Sequence, residues 1–170
     1  MEIYVASLSD YNAGVLHGKW FNLDNYTDAE DLENDIVKHV LETSPTAKEE
    51  GCPAEEWAIH DYSDAVSGLG EYENLEDLIE LNDALLEHGD AYRAYIDNVG
   101  LSGASVKDFE DKYRGHYSSK EDFAIELLEE TGTLQEIPEH LRDFFDYEAY
   151  ARYLFDDTFE WVDGYVFWND

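Results

Sequence analysis

Basic side chains are scarce in this chain: ten Lys and Arg stand against 42 Asp and Glu, a formal net charge of −32 over 170 residues. So strong a surplus opposes binding to nucleic acid or to an anionic membrane and favours a basic partner. Cysteine occurs once, as Cys52, which excludes a disulfide within the chain and points to a reducing, cytoplasmic setting. The opening residues, MEIYVASLSD, lack the basic and long apolar regions of a secretory signal. No apolar run approaches the ~18 residues that a membrane span requires.

Motifs for chemistry are missing as well. Gly68-Leu69-Gly70 lacks the third glycine and the helix of a phosphate-binding loop. Ala65 stands where a nucleophile elbow at Ser67 would need glycine. There is no His-Glu-x-x-His, and Cys52 has no partner at metal-site spacing. The acidic run over residues 24–35 lacks the central Gly and terminal Glu of a calcium loop. His60-Asp61 has the composition of a base and its orienter, but no nucleophile accompanies it, so a strand-end histidine beside a solvated acid is the simpler reading. Among 42 acids, two neighbouring carboxylates carry almost no information about glycosidase-like chemistry. The expectation is a protein with no catalytic residue, no cofactor and no metal.

What is present is enough apolar material to fold. Hydrophobic residues make up 44% of the chain and aromatics 15%, which separates it from acidic disordered chains. Residues 3–8 and 16–23 read as a strand pair. Thr27 with Glu30 has a capping-box pattern and opens a helix to about residue 42, with Leu32, Ile36, Val37 and Val40 on its core face. Residues 43–54, with Pro45, Gly51 and Pro53, read as a loop, 56–62 as a third strand and 63–70 as a linker.

Residues 75–87 form the clearest amphipathic pattern. Leu75, Leu78, Ile79, Leu81, Leu85 and Leu86 share one side. Glu73, Glu76, Asp77, Glu80, Asp83 and Glu87 share the other, with no matching Lys or Arg. Gly89 ends this helix, a short one follows over 90–98, and Ser105 caps another ending near Lys112 after the break at Gly100 and Gly103.

A strand is expected over 113–117, then three short helices over 121–157. Ser118 or Ser119 caps the first, with Glu121 and Asp122 following, and Gly132 stops it. Pro138 sits in the first turn of the second, and Asp146 caps the third. Phe123, Leu127, Leu128, Phe144, Phe145, Tyr150 and Leu154 supply a core; Trp and Tyr residues in general sit at core spacing. Residues 159–168 form a hairpin about Asp163-Gly164, with Phe159, Trp161, Val166 and Trp168 on one face and Val162, Tyr165 and Phe167 on the other. A hairpin apolar on both faces needs cover on both, which suggests helices on one and a second subunit on the other.

The fold class expected is therefore α+β, as an elongated chain of three small domains. Residues 1–72 form a small sheet plus helix, 73–107 a helical centre and 108–170 a C-terminal α+β domain. Their net charges are −13, −6 and −13.

The acidic faces invite a functional reading. Like charges four apart on a helix destabilise it, and natural helices usually mix signs there. Duplex DNA carries one charge per ~1.7 Å of axis, so this surplus matches roughly 16 base pairs, or about 32 for a dimer. A rigid acidic body could occupy a DNA-binding groove, although surplus charge also serves solubility in high salt. The candidate phosphate-mimicking surface comprises Glu73, Glu76, Asp77, Glu80, Asp83, Glu87, Glu126, Glu129, Glu130, Glu136, Glu139 and Asp143.

Three stretches carry a resemblance: IYVASLSDYNAGVLHGKWF (residues 3–21), EEWAIHDY (55–62) and ELLEETGTLQEIPEHLRDFFDYEAYARYL (126–154). With them the chain resembles the ArdA antirestriction proteins of plasmids and conjugative transposons, and the last stretch looks like that family's antirestriction motif region. The resemblance implies a DNA-mimicking homodimer of three small domains per subunit, with dimer contacts in the C-terminal domain. It implies a type I restriction–modification enzyme as partner, inhibited at its DNA-binding groove, with no direct binding of nucleic acid. Two other readings share the composition: an acidic binding module for another basic DNA-binding protein, and a salt-adapted enzyme with a concave pocket.

Overall fold

A computed structural model describes residues 1–169; they fall in two compact units, divided after Gly89. Each contains one three-stranded antiparallel sheet, and the fold is α+β.

In the first unit β1 (Glu2–Ser7) is central, with β2 (Gly18–Asn22) on one side and β3 (Trp57–Ser63) on the other. Ile3 and Val5 alternate into the core, where Ile3 pairs with Phe21. The expected strand pair forms, and the turn between its strands contains α1 (Leu8–Asn12), capped by Ser7.

α2 (Ala29–Ile36) continues into a π turn over Val37–Leu41. Its cap is Asp28, whose Oδ1 accepts the Asp31 N–H at 2.9 Å, one position after the expected Thr27. A carboxylate at that site also meets the positive end of the helix dipole. Leu32, Ile36 and Val40 are buried as expected, but Val37 is exposed and Leu41 takes its place. The wider π turn inserts a residue and rotates the apolar face.

The stretch read as loop contains a helix, α3 (Pro45–Glu50). Ser44 Oγ accepts the Ala47 N–H at 3.1 Å, Pro45 takes the first helical position, and Gly51 (φ 70°) closes the helix in the left-handed region. Here Pro and Gly are start and stop signals.

Asp10 joins α1 to α3. It is fully buried, and its Oδ1 accepts the Thr46 N–H at 2.9 Å. Burial alone would push its pKa up; hydrogen bonds from Thr46, Ser44 and Ser7 outweigh this and hold it at about 2. A carboxyl whose pKa is lower folded than unfolded stabilises the fold above the unfolded value and stops doing so as pH falls through the folded one. The shift corresponds to about 2 kcal/mol. Asp10→Asn is expected to remove most of that at pH 7. Urea denaturation of both proteins should show the gap full above about pH 4 and closing toward pH 2.

α4 (Leu75–Val99) opens on Asn74, whose Oδ1 accepts the N–H groups of Glu76 (2.8 Å) and Asp77 (3.3 Å). Leu75, Leu78, Ile79 and Leu85 are buried, whereas Leu86, expected with them, is 62% exposed. The buried face turns from Leu75, Leu78, Ile79 and Asn82 toward Ala84 and Leu85, leaving Leu86 outside. Buried Asn82 is a polar clasp: its Oδ1 accepts the Met1 terminal amine at 2.9 Å and its Nδ2 donates to Asp24 Oδ1 at 3.0 Å. The helix breaks at Gly89 (φ 58°), where the two units meet in sequence. Asn82→Ala would remove both hydrogen bonds of the clasp and leave the Met1 amine only the Asp24 carboxylate, 3.6 Å away; a loss of about 2 kcal/mol in denaturant midpoint experiments is expected, with the slope unchanged.

In the second unit, β4 (Tyr113–His116), β5 (Phe159–Val162) and β6 (Tyr165–Trp168) form a sheet in the order β4-β6-β5. Asp163 and Gly164 both have positive φ, as the expected tight turn demands, and Phe159 pairs with Trp168 and Trp161 with Val166. Before the sheet, Ser105 caps α5 (Val106–Lys112) as expected.

Where three helices were expected there are four: α6 (Lys120–Glu130), α7 (Thr133–Glu136), α8 (Glu139–Arg142) and α9 (Tyr147–Asp157). Ser119 and Asp146 cap the first and last. Gly132 (φ 72°) ends α6 and directly precedes the extra helix, and Pro138 precedes α8 as its cap rather than sitting in its first turn.

Phe123, Ala124, Ala151 and Leu154 pack against Phe159 and Val166. Phe144, expected in that core, is 82% exposed, because it lies in the link after α8. On the hairpin's other face Phe167 is buried by the chain itself, its ring 5.5 Å from Tyr95, 5.7 Å from Tyr113 and 6.2 Å from Phe109, while Val162 and Tyr165 are half-buried.

Candidate acidic interaction surface

Of the twelve acids singled out in the sequence, eleven are exposed and Glu73 is half-buried. On α4, Glu76, Glu80, Asp83 and Glu87 fall within about 60° of arc, along about 16 Å of axis. Asp77 stands at the edge of this stripe. None of these five forms an ion pair among the described residues, and Glu76–Glu80 and Asp83–Glu87 are like-charge pairs four apart. Glu73 differs: its Oε1 accepts the Gly70 N–H at 2.7 Å, so it shapes the turn before the helix.

The remaining six lie in the second unit. Glu126, Glu129 and Glu130 are on α6, Glu136 on α7, Glu139 on α8 and Asp143 just after it. Glu126 is engaged by Tyr117, whose hydroxyl donates to its Oε1 at 3.1 Å. Burial, then that carboxylate, pushes the Tyr117 pKa up to about 12. Glu129 and Glu130 occupy the last turn of α6, which has no basic residue. The helix dipole disfavours acids there, so this placement costs stability.

The basic residues explain how the acids stay bare. Lys19 sits 5.2 Å from the Phe21 ring centre, Arg114 5.2 Å from that of Trp168 and Lys120 4.8 Å from that of Phe155. Lys48 donates to the Thr43 carbonyl, and Arg142 to those of Ile137 and Gln135. Lys107 and Arg152 pair with Asp111 and Glu148 on their own helices. None of these seven cations neutralises a member of the twelve. Arg142 and Tyr117 thus shape the surface although sequence reading passed over them; a lone cation inside a dense acidic stretch was the available signal.

The His60 ring packs edge-on against Tyr11, 4.5 Å between centres. Among the described residues no group of three or more His, Cys, Asp and Glu is placed to hold a metal ion, and no helix is long and apolar enough to cross a membrane. Tyr92 and Tyr95 are core residues as expected, but Tyr11, Tyr72 and Tyr153 are exposed.

Neutralising the stripe beyond the first turn with Glu80→Gln, Asp83→Asn and Glu87→Gln, and keeping Glu76 where the helix dipole favours it, should leave the protein as stable or more stable, by about 0.2–0.5 kcal/mol per relieved pair. Thermal melting at low salt checks this. Destabilisation would mean that the carboxylates support the fold.

A search among curated proteins finds no match. The family described as antirestriction protein (ArdA) matches residues 3–167, nearly the whole chain. The chain therefore belongs to the ArdA family of antirestriction proteins.

Proposed function

We propose that this chain inhibits type I restriction–modification enzymes by entering their DNA-binding groove as a mimic of DNA. Membership of an antirestriction family already implies interaction with restriction–modification enzymes. The observation that carries the finer reading is the α4 stripe: four same-sign carboxylates on one exposed face, unneutralised, on a helix anchored from behind by buried leucines and Asn82. Such a face offers the Lys and Arg of a DNA groove what phosphates offer them, without base edges to read. Glu126, Glu129, Glu130, Glu136, Glu139 and Asp143 give the second unit exposed carboxylates of its own. Glu73 contributes less, because its carboxylate is already hydrogen-bonded. In this reading the protein works in the cytoplasm as a homodimer of three-domain subunits, without metal or cofactor.

Competition between the protein and unmodified target DNA for a purified type I enzyme tests the proposal. The protein should displace DNA, lose affinity steeply between about 50 and 200 mM salt, and bind at least about tenfold more weakly with the α4 stripe neutralised. Binding with DNA still in place, or no binding, would overturn it. Recovery of a different basic DNA-binding protein would then favour the acidic-module reading.

A further inference from the structure

We propose that Arg142 is a positioning residue: it holds the α7–α8 segment, and with it Glu136, Glu139 and Asp143, in one fixed arrangement. This rests on the mimic reading above for its functional consequence, but its structural basis is independent of it.

Arg142 ends α8 in the middle of an acidic stretch, with Glu136, Glu139, Asp143, Asp146 and Glu148 within six residues of it. An arginine so placed would ordinarily be drawn to a carboxylate. Instead its guanidinium turns to the backbone: Nε donates to the Ile137 carbonyl at 2.9 Å and an Nη to the Gln135 carbonyl at 3.2 Å. Among the described residues it forms no ion pair.

These carbonyls need a donor. α7 is only four residues long, and its C-terminal carbonyls have no continuing helix to bond them. Pro138 follows one residue later, after Ile137, and has no N–H to offer. Arg142 reaches back across the proline and supplies two donors from one planar group, closing the segment into a loop. Its charge also suits the carboxyl end of a short helix. Three acids thereby sit on a segment fixed by a cation that neutralises none of them.

The sign of the effect separates positioning from charge. Arg142→Gln takes the net charge from −32 to −33. On charge alone that should strengthen binding to a basic groove. Positioning predicts the reverse: about tenfold weaker competition with DNA, the scale of losing charge-assisted hydrogen bonds. Arg142→Lys should fall between, since an ammonium cannot span both carbonyls as the guanidinium fork does.

The test measures hydrogen exchange of the amides over residues 133–144 and competition with DNA at a type I enzyme. It uses wild type, Arg142→Gln, Arg142→Lys and Arg142→Gln combined with Glu136→Gln, Glu139→Gln and Asp143→Asn. Far-UV circular dichroism should confirm an unchanged fold, and Arg142→Lys serves if Arg142→Gln does not fold. Exchange should accelerate locally in Arg142→Gln, and the three acid substitutions should cost much less in that background than in wild type. Unchanged local exchange, or competition as strong as or stronger than wild type, would overturn the proposal. If wild type itself fails to compete, the mimic reading fails, and exchange alone judges the clamp.

Discussion

Repulsion between carboxylates is the constraint that this structure has to meet. Neighbouring acids on the α4 stripe lie about one helical turn apart, well inside the ~8 Å screening length at physiological salt. Their repulsion is therefore felt in the cell as well as at low salt. The helix dipole favours Glu76, in the first turn, but nothing relieves the rest of that face; stability has to come from elsewhere. It comes from behind the helix, where Leu75, Leu78, Ile79 and Leu85 are buried and Asn82 clasps the Met1 amine and Asp24. Apolar burial is insensitive to salt and non-directional, so it can hold a charged face without neutralising it.

The same logic runs through the cations. In an ordinary helical protein they would alternate with acids at i,i+4 and soften the surface field. Here Lys107 and Arg152 do so, but Lys19, Arg114 and Lys120 lie on aromatic rings, and Arg142 and Lys48 serve backbone carbonyls. A carboxylate that carries out an internal task, as Asp10 does, is buried and accepts a backbone N–H, that of Thr46. One that stands on the α4 stripe has no internal partner. That separation of labour lets one residue type do both kinds of work.

Much of the fold could be read from local signals. Ser105, Ser119 and Asp146 cap the helices they were expected to cap, and Asp163-Gly164 makes the expected turn. Those signals are short-range and depend on backbone donors within three residues. The failures arose where tertiary context decided. Pro45 and Gly51 mark a loop or bound a helix with equal ease, and only the docking of Thr46 onto Asp10 selects the helix. The π turn after Ile36 has no signature in the sequence, so Val37 and Leu41 exchanged places. Phe144 looks like core by composition, but falls in a link between short helices. Of the candidate surface, exposure was legible from periodicity; the hydrogen bonds of Glu73 and Glu126 were not, because their partners, Gly70 and Tyr117, lie in the links before their helices.

Mimicry of a double helix is a statement about where oxygen atoms sit, and position is what should be measured. The most direct measurement is the structure of this protein bound to a type I enzyme, superposed on that enzyme bound to DNA. The carboxylates of Glu76, Glu80, Asp83 and Glu87 should lie within about one charge-assisted hydrogen-bond length, ~3 Å, of phosphate positions, facing the same Lys and Arg. A complex in which that helix face points to solvent, or in which the protein sits outside the groove, would contradict the account.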